Sequence, residues 1–406
     1  VLLEVDVNAG NNQYSVTQEG LVILGQGHMV TGNPSNTAFT LMANRIELRN
    51  LTIQNFYKGV EVWADSARLV GLKVNASGGV GVWFDRARWC RAESLLVTSG
   101  GNVGAYLRNS RGVVIENSEF YGNKAGIHVI YSRACTLRAV TSRDNDDRLG
   151  SWGVVLYSSD SNVVENLIAY NNGVINFDGA LKLDKSKHNL VKGGRIYGNG
   201  VGVYLYDADS NTLCDFSAYK NWRGVYLDLS SDGNALSGLG LRNNLDCGLY
   251  IGRFSSNNRI EKLSAYSNGV GIKVDNAAEN VIYGAIVSYN DFAGVVFAGG
   301  CAQNTLERSW VYRNGQSGVL ITSDAEGNSV LFSRIYLNGA HGVYISGAKR
   351  NTVKGCWIYR NYKDGVAIID AASVGNRITQ NSFWDNRELA IDLGDDGVTP
   401  SDAAYN

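Results

Sequence analysis

Apolar and polar residues alternate along this chain in short runs, as in Gly202-Val203-Tyr204-Leu205-Tyr206, and Asn, Gly, Ser and Asp separate the runs. A period of two marks a β-strand with one buried face, and no stretch holds a 3.6-residue period long enough to predict a helix. The runs themselves recur. Asn stands at Asn162, Asn189, Asn211, Asn234, Asn258, Asn280, Asn304, Asn328, Asn351 and Asn376, spaced 22 to 27 residues apart, and a second Asn follows each after ten residues, from Asn172 to Asn386. An aromatic residue usually precedes the second Asn by two positions, as at Tyr197, Tyr312 and Trp384. A Gly three or four positions after that Asn opens the next run. The frame extends backwards through Cys135, Val113, Cys90, Arg68 and Arg45, giving about fifteen repeats.

A unit of this size cannot bury its apolar residues alone. Stacked as coils, each strand pairs with its equivalents above and below at about 4.8 Å, and the inward residues fuse into one core. The pattern therefore predicts an all-β, single-stranded parallel solenoid of 15 or more coils. Residues 1–44 form N-terminal coils or a capping region, residues 45–390 the repeats, and residues 391–406 a C-terminal tail. Asn is expected at the coil corners, because it tolerates left-handed backbone angles and its amide can bond the backbone or the next Asn in the stack.

The Asn-x-x-Gly-Val-x-Leu units over about 45–390 resemble the right-handed parallel β-helix repeat family, which includes pectate-lyase-like enzymes and NosD-like carbohydrate-binding modules. The ending from Asn381 to Pro400 is similar to the terminal segment of large secreted surface proteins with this fold. The resemblance implies a right-handed helix and an extracellular or cell-surface protein. It leaves function open among lyases, hydrolases, epimerases, binding modules and structural rods.

Charge narrows the choice. With 37 Lys+Arg against 38 Asp+Glu the net charge is −1, so the broad attraction behind sequence-independent nucleic-acid binding is missing and no nucleic-acid partner is expected. No apolar run approaches the roughly 18–20 residues of a bilayer span, so no membrane insertion is expected. Only Pro34 and Pro400 interrupt the chain, and no linker is visible. Cys214, Cys247, Cys301 and Cys356 fall at different repeat offsets, while Cys90 and Cys135 share one but lie two coils apart. Six buried thiols and no intrachain disulfide follow.

After each opening Gly, alternate residues should face outward. One outward row reads Glu61, Trp83, Tyr106, His128, Val155, Lys182, Tyr204, Tyr226, Tyr250 and Lys273. Its companion reads Trp63, Asp85, Arg108, Ile130, Tyr157, Asp184, Tyr206, Asp228, Gly252 and Asp275. Aromatic faces stack on sugar rings while charged groups bond hydroxyls and carboxylates, so Trp63, Trp83, Tyr106, Arg108, Asp184, Tyr204, Tyr206, Tyr226, Asp228 and Tyr250 are expected to bind a polysaccharide. The alternative is that these aromatics only satisfy the strand preference of a wide sheet. Beyond about residue 290 the rows become Val296, Ala298, Leu320, Thr322, Ser346, Ala367 and Ile369, which confines the strip to the first two thirds of the chain.

Two neighbouring coils carry insertions at one place, between Asn145 and Gly153 and between Asn172 and Ala180, and should build a wall beside Lys182 and Asp184. Asp144, Asp146 and Asp147 there are candidate Ca2+ ligands. Asp178-Gly179 with Lys182-Leu183 resembles the Asp-Gly…Lys-Leu stretch of calcium-dependent pectate lyases, which implies Lys182 as general base, with Asp178, His128 and Tyr157 as further catalytic candidates. His28, His188 and His341 fall at unrelated offsets and are expected to be structural or solvated. Two functions remain. One is an extracellular carbohydrate-interacting β-helix, in its enzymatic form a polysaccharide lyase acting on an acidic polymer. The other is a non-catalytic adhesin stalk or filament subunit. No amphipathic helix marks either end, so either the chain is a fragment of a longer protein or its ends meet other subunits in head-to-tail self-association.

Overall fold

A computed structural model of the chain describes residues 1–98, 102–145, 150–173 and 178–397. It is all-β, a right-handed parallel β-solenoid of about 16 turns, with no helix among the described residues. Two compact units, Val1–Val203 and Tyr204–Asn406, are built alike.

In the first unit Leu41, Val62, Phe84, Leu107, Val129, Leu156 and Leu183 pair in register from coil to coil, and all seven are buried. Residues 1–44 pair among themselves, Val7 with Val30 and Tyr14 with Phe39, and join the stack through Met29 with Thr52 and Phe39 with Val60. In the second unit the equivalent column is Leu227, Ile251, Val274, Phe297, Ile321, Ile345, Ile368 and Leu393. Each such side chain contributes roughly 1.5–3 kcal/mol by leaving water.

Asparagine closes the polar side of the account. In the second unit Asn234 Oδ1 accepts the backbone N–H of Asn211 (2.8 Å) and its side-chain amide (3.2 Å), while Asn234 Nδ2 donates to Ala208 O (3.0 Å) and to Asn258 Oδ1 (3.0 Å). The same pattern continues to Asn376, and a parallel ladder runs from Asn221 to Asn386. A buried amide has two donors and two acceptor sites, and this stack uses all four. The first unit has a ladder of its own from Asn123 through Asn145 and Asn172 to Asn199.

One sequence expectation is corrected here. None of the ladder Asn residues from Asn162 to Asn386 has a left-handed backbone. The residue just before takes it, as at Ser210, Asn257, Tyr289, Arg313 and Leu337. The corner needs the ladder amide pointing inward, so the strained angle falls on its neighbour, whose side chain turns outward.

The Gly that opens each run is required by close approach. A Cβ on Gly318 would lie 2.6 Å from Ile335 Cγ2, 2.7 Å from Asn338 Nδ2 and 2.8 Å from Gly342 O. All six cysteines are free, five buried and Cys214 half-buried, and burial pushes the Cys135 and Cys356 thiols up to about 11.

Candidate functional site

The outward rows exist in the register read from the sequence. Glu61, Trp83, Tyr106, His128, Val155 and Lys182 pair one above another, as do Asp85, Arg108, Ile130, Tyr157 and Asp184. Trp63 is exposed beside them. Facing outward is not the same as facing water, however. Residues at equivalent positions are one coil apart, about 4.8 Å, so large side chains cover each other. Trp83 meets Tyr106 edge-on at 5.3 Å, and Tyr106 lies 6.0 Å from His128. Lys58 Nζ sits 3.9 Å above the Trp83 ring and Arg108 5.0 Å from it.

The charges of this strip neutralise one another. Lys58 pairs with Glu61 at 2.8 Å, Arg108 grips Asp85 through two bonds of 3.0 and 2.8 Å, and Lys182 pairs with Asp184 at 2.7 Å. His128 and Lys182 stand in one column with Val155 between them, about 10 Å apart along the axis. Burial lowers the His128 imidazole to about 4, so it is neutral at pH 7. Tyr157 packs edge-on to Tyr131 at 5.7 Å. Asp178 Oδ2 accepts the Gly150 N–H at 2.8 Å and so brackets the two insertions. Asp144 is held by Arg143 at 2.7 Å and by the Asn171 amide at 3.0 Å. Asp146 and Asp147 lie outside the described residues, as does most of the expected wall.

In the second unit the expected solvent-facing residues Tyr204, Tyr226 and Asp228 are buried instead, at 6, 5 and 0 % exposure. Tyr204 donates to Asp228 at 2.9 Å and stacks on Tyr226 at 4.9 Å. Arg253 closes over the same carboxylate through Nε at 2.6 Å and a second contact through Nη2. Burial alone would raise Asp228, but hydrogen bonds from Arg253, Tyr204 and Tyr226 outweigh it and hold the carboxyl below its usual range. Burial, then Asp228, pushes Tyr226 up to about 12. Tyr250 donates to Asp275 at 2.8 Å, and Tyr206 packs on Tyr204 at 5.8 Å. Arg223 lies 4.6 Å from the Tyr226 ring and 4.3 Å from Tyr250. This cluster is a knot of satisfied groups that braces the sheet.

Sequence reasoning missed a different surface. At the turn after the strip strands of the first unit, Arg88, Arg111 and Arg133 pair in parallel register, one per coil. All three are exposed, and none has a carboxylate of the described residues within ion-pair distance. Arg111 lies 5.6 Å from the ring of Trp89, which is 59 % exposed, and Tyr131 is 57 % exposed. They line a cleft of about 480 Å³ with Asn109, Ser158 and Asp160. The signal is present in the sequence, since the three arginines are 23 and 22 residues apart, but it lies at the corners, outside both the alternating strand rows and the insertions.

The outward row also continues further than expected, because Tyr344 and Asp392 stand in register with Leu320 and Ala367. Beside them His341, expected to be merely structural or solvated, is buried and converges with Asp364 and Asp395, their ligand atoms all within 4.8 Å of one another. Among the described residues no other group of three His, Cys, Asp or Glu does so, and neither Asp144 nor Asp178 belongs to one.

Residues 255–401 match the family described as a right-handed β-helix region. The chain resembles the solved Vag8–C1 inhibitor complex (13 % identity, 96 % of this chain and 99 % of that one, TM-score 0.53). It also resembles the periplasmic alginate epimerase AlgG (11 %, 90 and 79 %, 0.46) and the A-module of the Azotobacter vinelandii mannuronan C-5 epimerase AlgE6 (16 %, 80 and 92 %, 0.41). At 13 % identity the likeness to the Vag8 complex speaks to fold and not to activity. No curated protein matches the chain. Residues 42–215 and 153–314 match the family described as periplasmic copper-binding protein (NosD), a span of more than half the sequence, and the chain belongs to that family.

Proposed function

We propose that this protein is a carbohydrate-binding β-helix that works outside the cytoplasm and takes an anionic polysaccharide along the Arg88–Arg111–Arg133 face. The observation that carries the reading is the column of three guanidinium groups without carboxylate partners among the described residues, on a cleft lined by the exposed rings of Trp89 and Tyr131. Guanidinium is the side chain best suited to carboxylate or sulfate, and an aromatic face suits a sugar ring. The coil rise of about 4.8 Å is of the same order as one sugar residue, so a polymer running along the axis can offer one anionic group per arginine. The neighbouring Trp83–Tyr106 strip adds aromatic surface but little net charge, since its ions are paired internally. Asp160 at the cleft edge is turned towards the Lys187 N–H, at 2.7 Å.

The NosD description supports an extracytoplasmic location. It also names copper, but within 42–314 no three described metal-ligating side chains converge, so copper enters no part of this reading. Calorimetric titration with polygalacturonate, alginate and neutral dextran is the test. Binding to the acidic polymers that weakens at least tenfold in Arg88→Ala/Arg111→Ala, and that falls with salt, is expected. Equal binding by the double variant, or a preference for dextran, overturns the assignment.

A further inference from the structure

We propose that His341, Asp364 and Asp395 bind one divalent first-row transition-metal ion at the mouth of a cavity in the second unit. His341 and Asp364 occupy the same position on successive coils, in the turns before the strands Val343–Ser346 and Val366–Ile369, and are 3 and 0 % exposed. His341 Nδ1 and Asp364 Oδ2 face each other at 3.1 Å, yet both are buried and neither makes a hydrogen bond. Burial strips such groups of water, and without a hydrogen bond in return they destabilise the fold. A cation shared between a nitrogen lone pair and a carboxylate removes that cost.

The surroundings fix the donors. The Leu389 N–H holds Asp364 Oδ1 at 2.7 Å and so aims Oδ2 at the imidazole. Tyr344 lies 5.1 Å from the His341 ring at 30° and sets its plane. Asp395 offers a carboxylate oxygen within 4.8 Å of the ligand atoms of His341 and Asp364, on a turn tied down by the Gly397 N–H to Asp392 Oδ2 (3.0 Å) and the Gly394 N–H to Ile368 O (2.9 Å). Lys363 Nζ, 3.7 Å from Asp395 Oδ2, is the competing cation and must yield when the ion enters. Imidazole with two carboxylates suits Zn2+ or Cu2+ better than an all-oxygen ion such as Ca2+. Three protein ligands leave a coordination position open. His341 and Asp395 line a cavity of about 340 Å³ together with Phe292, Gln316, Ser317 and Leu320.

The test uses the full chain stripped with chelator, titrated with Zn2+ by calorimetry and with Cu2+ by electron paramagnetic resonance. One ion per chain is expected, with nitrogen hyperfine structure on Cu2+, and at least tenfold weaker binding in His341→Ala. If that variant does not fold, Asp395→Asn decides, because Asp395 is partly exposed on a surface turn and its loss leaves the core intact. No ion uptake, or unchanged affinity in the folded variants, overturns the proposal. The cluster is then a histidine held between carboxylates.

Discussion

A ladder asparagine does its work through its amide and not through its backbone angle. Asn290 accepts both donors of Asn268, at 2.9 and 3.1 Å, and donates to Ala265 O and Asn314 Oδ1. In Asn290→Ala those groups stay buried without partners, and a loss of roughly 3–5 kcal/mol is expected in urea denaturation. Leu245→Ala, at a side chain that is 80 % exposed, should stay within about 0.5 kcal/mol. A small loss in Asn290→Ala would mean that water takes the amide's place. His128 gives the fold a pH dependence of defined sign. Its imidazole is neutral when folded down to about 4, whereas the unfolded chain takes up the proton near 6.5. Between those values the unfolded state holds more protons, so stability falls as pH drops through the window and the effect levels off below it. The full shift corresponds to about 3 kcal/mol, and residual solvent contact makes the effect smaller. Thermal melts of wild type and His128→Gln from pH 7 to 4 should diverge, with the wild type losing more; parallel curves would refute the burial argument.

At the scale of strands and turns, the sequence showed the repeat, the register and the outward rows, because a period of two and a fixed Asn interval both survive in one dimension. It did not show exposure. Whether Tyr226 meets water depends on Tyr204 one coil away and on Arg253 arriving from a corner, and neither contact is visible in alternation. The same limit hid the His341 cluster. His341 and Asp364 are one repeat apart and could have been paired on paper, but Asp395 arrives from a turn beyond the last repeat, where the frame no longer predicts position. Arg88, Arg111 and Arg133 are legible as one residue per repeat, but the alternation that marks outward strand positions does not reach the corners where they stand.

Along the asparagine ladders, bonds between coils join residues separated by one repeat, from 22 residues for Asn258 and Asn280 to 27 for Asn162 and Asn189. Loop closure therefore costs about the same at every step, and stability is close to a sum of neighbouring terms. Hydrogen exchange of Asn290→Ala should lose protection in peptides around 258–340 and keep it in 40–98. Uniform loss over the chain would show a single cooperative unit instead.

The interval of ten between paired asparagines never changes, while the remaining arc of the coil runs from twelve residues, between Asn268 and Asn280, to seventeen, between Asn172 and Asn189. A coil is thus a unit of inheritance with one rigid and one elastic side. Duplicating or deleting a whole period leaves every amide with a partner of the same kind. Growth on the elastic side adds surface without disturbing the ladders, but removing a single codon inside the ten would send the core residues of that strand to the opposite face. Lineages of such chains can lengthen, shorten and acquire new loops while the frame that holds them stays fixed.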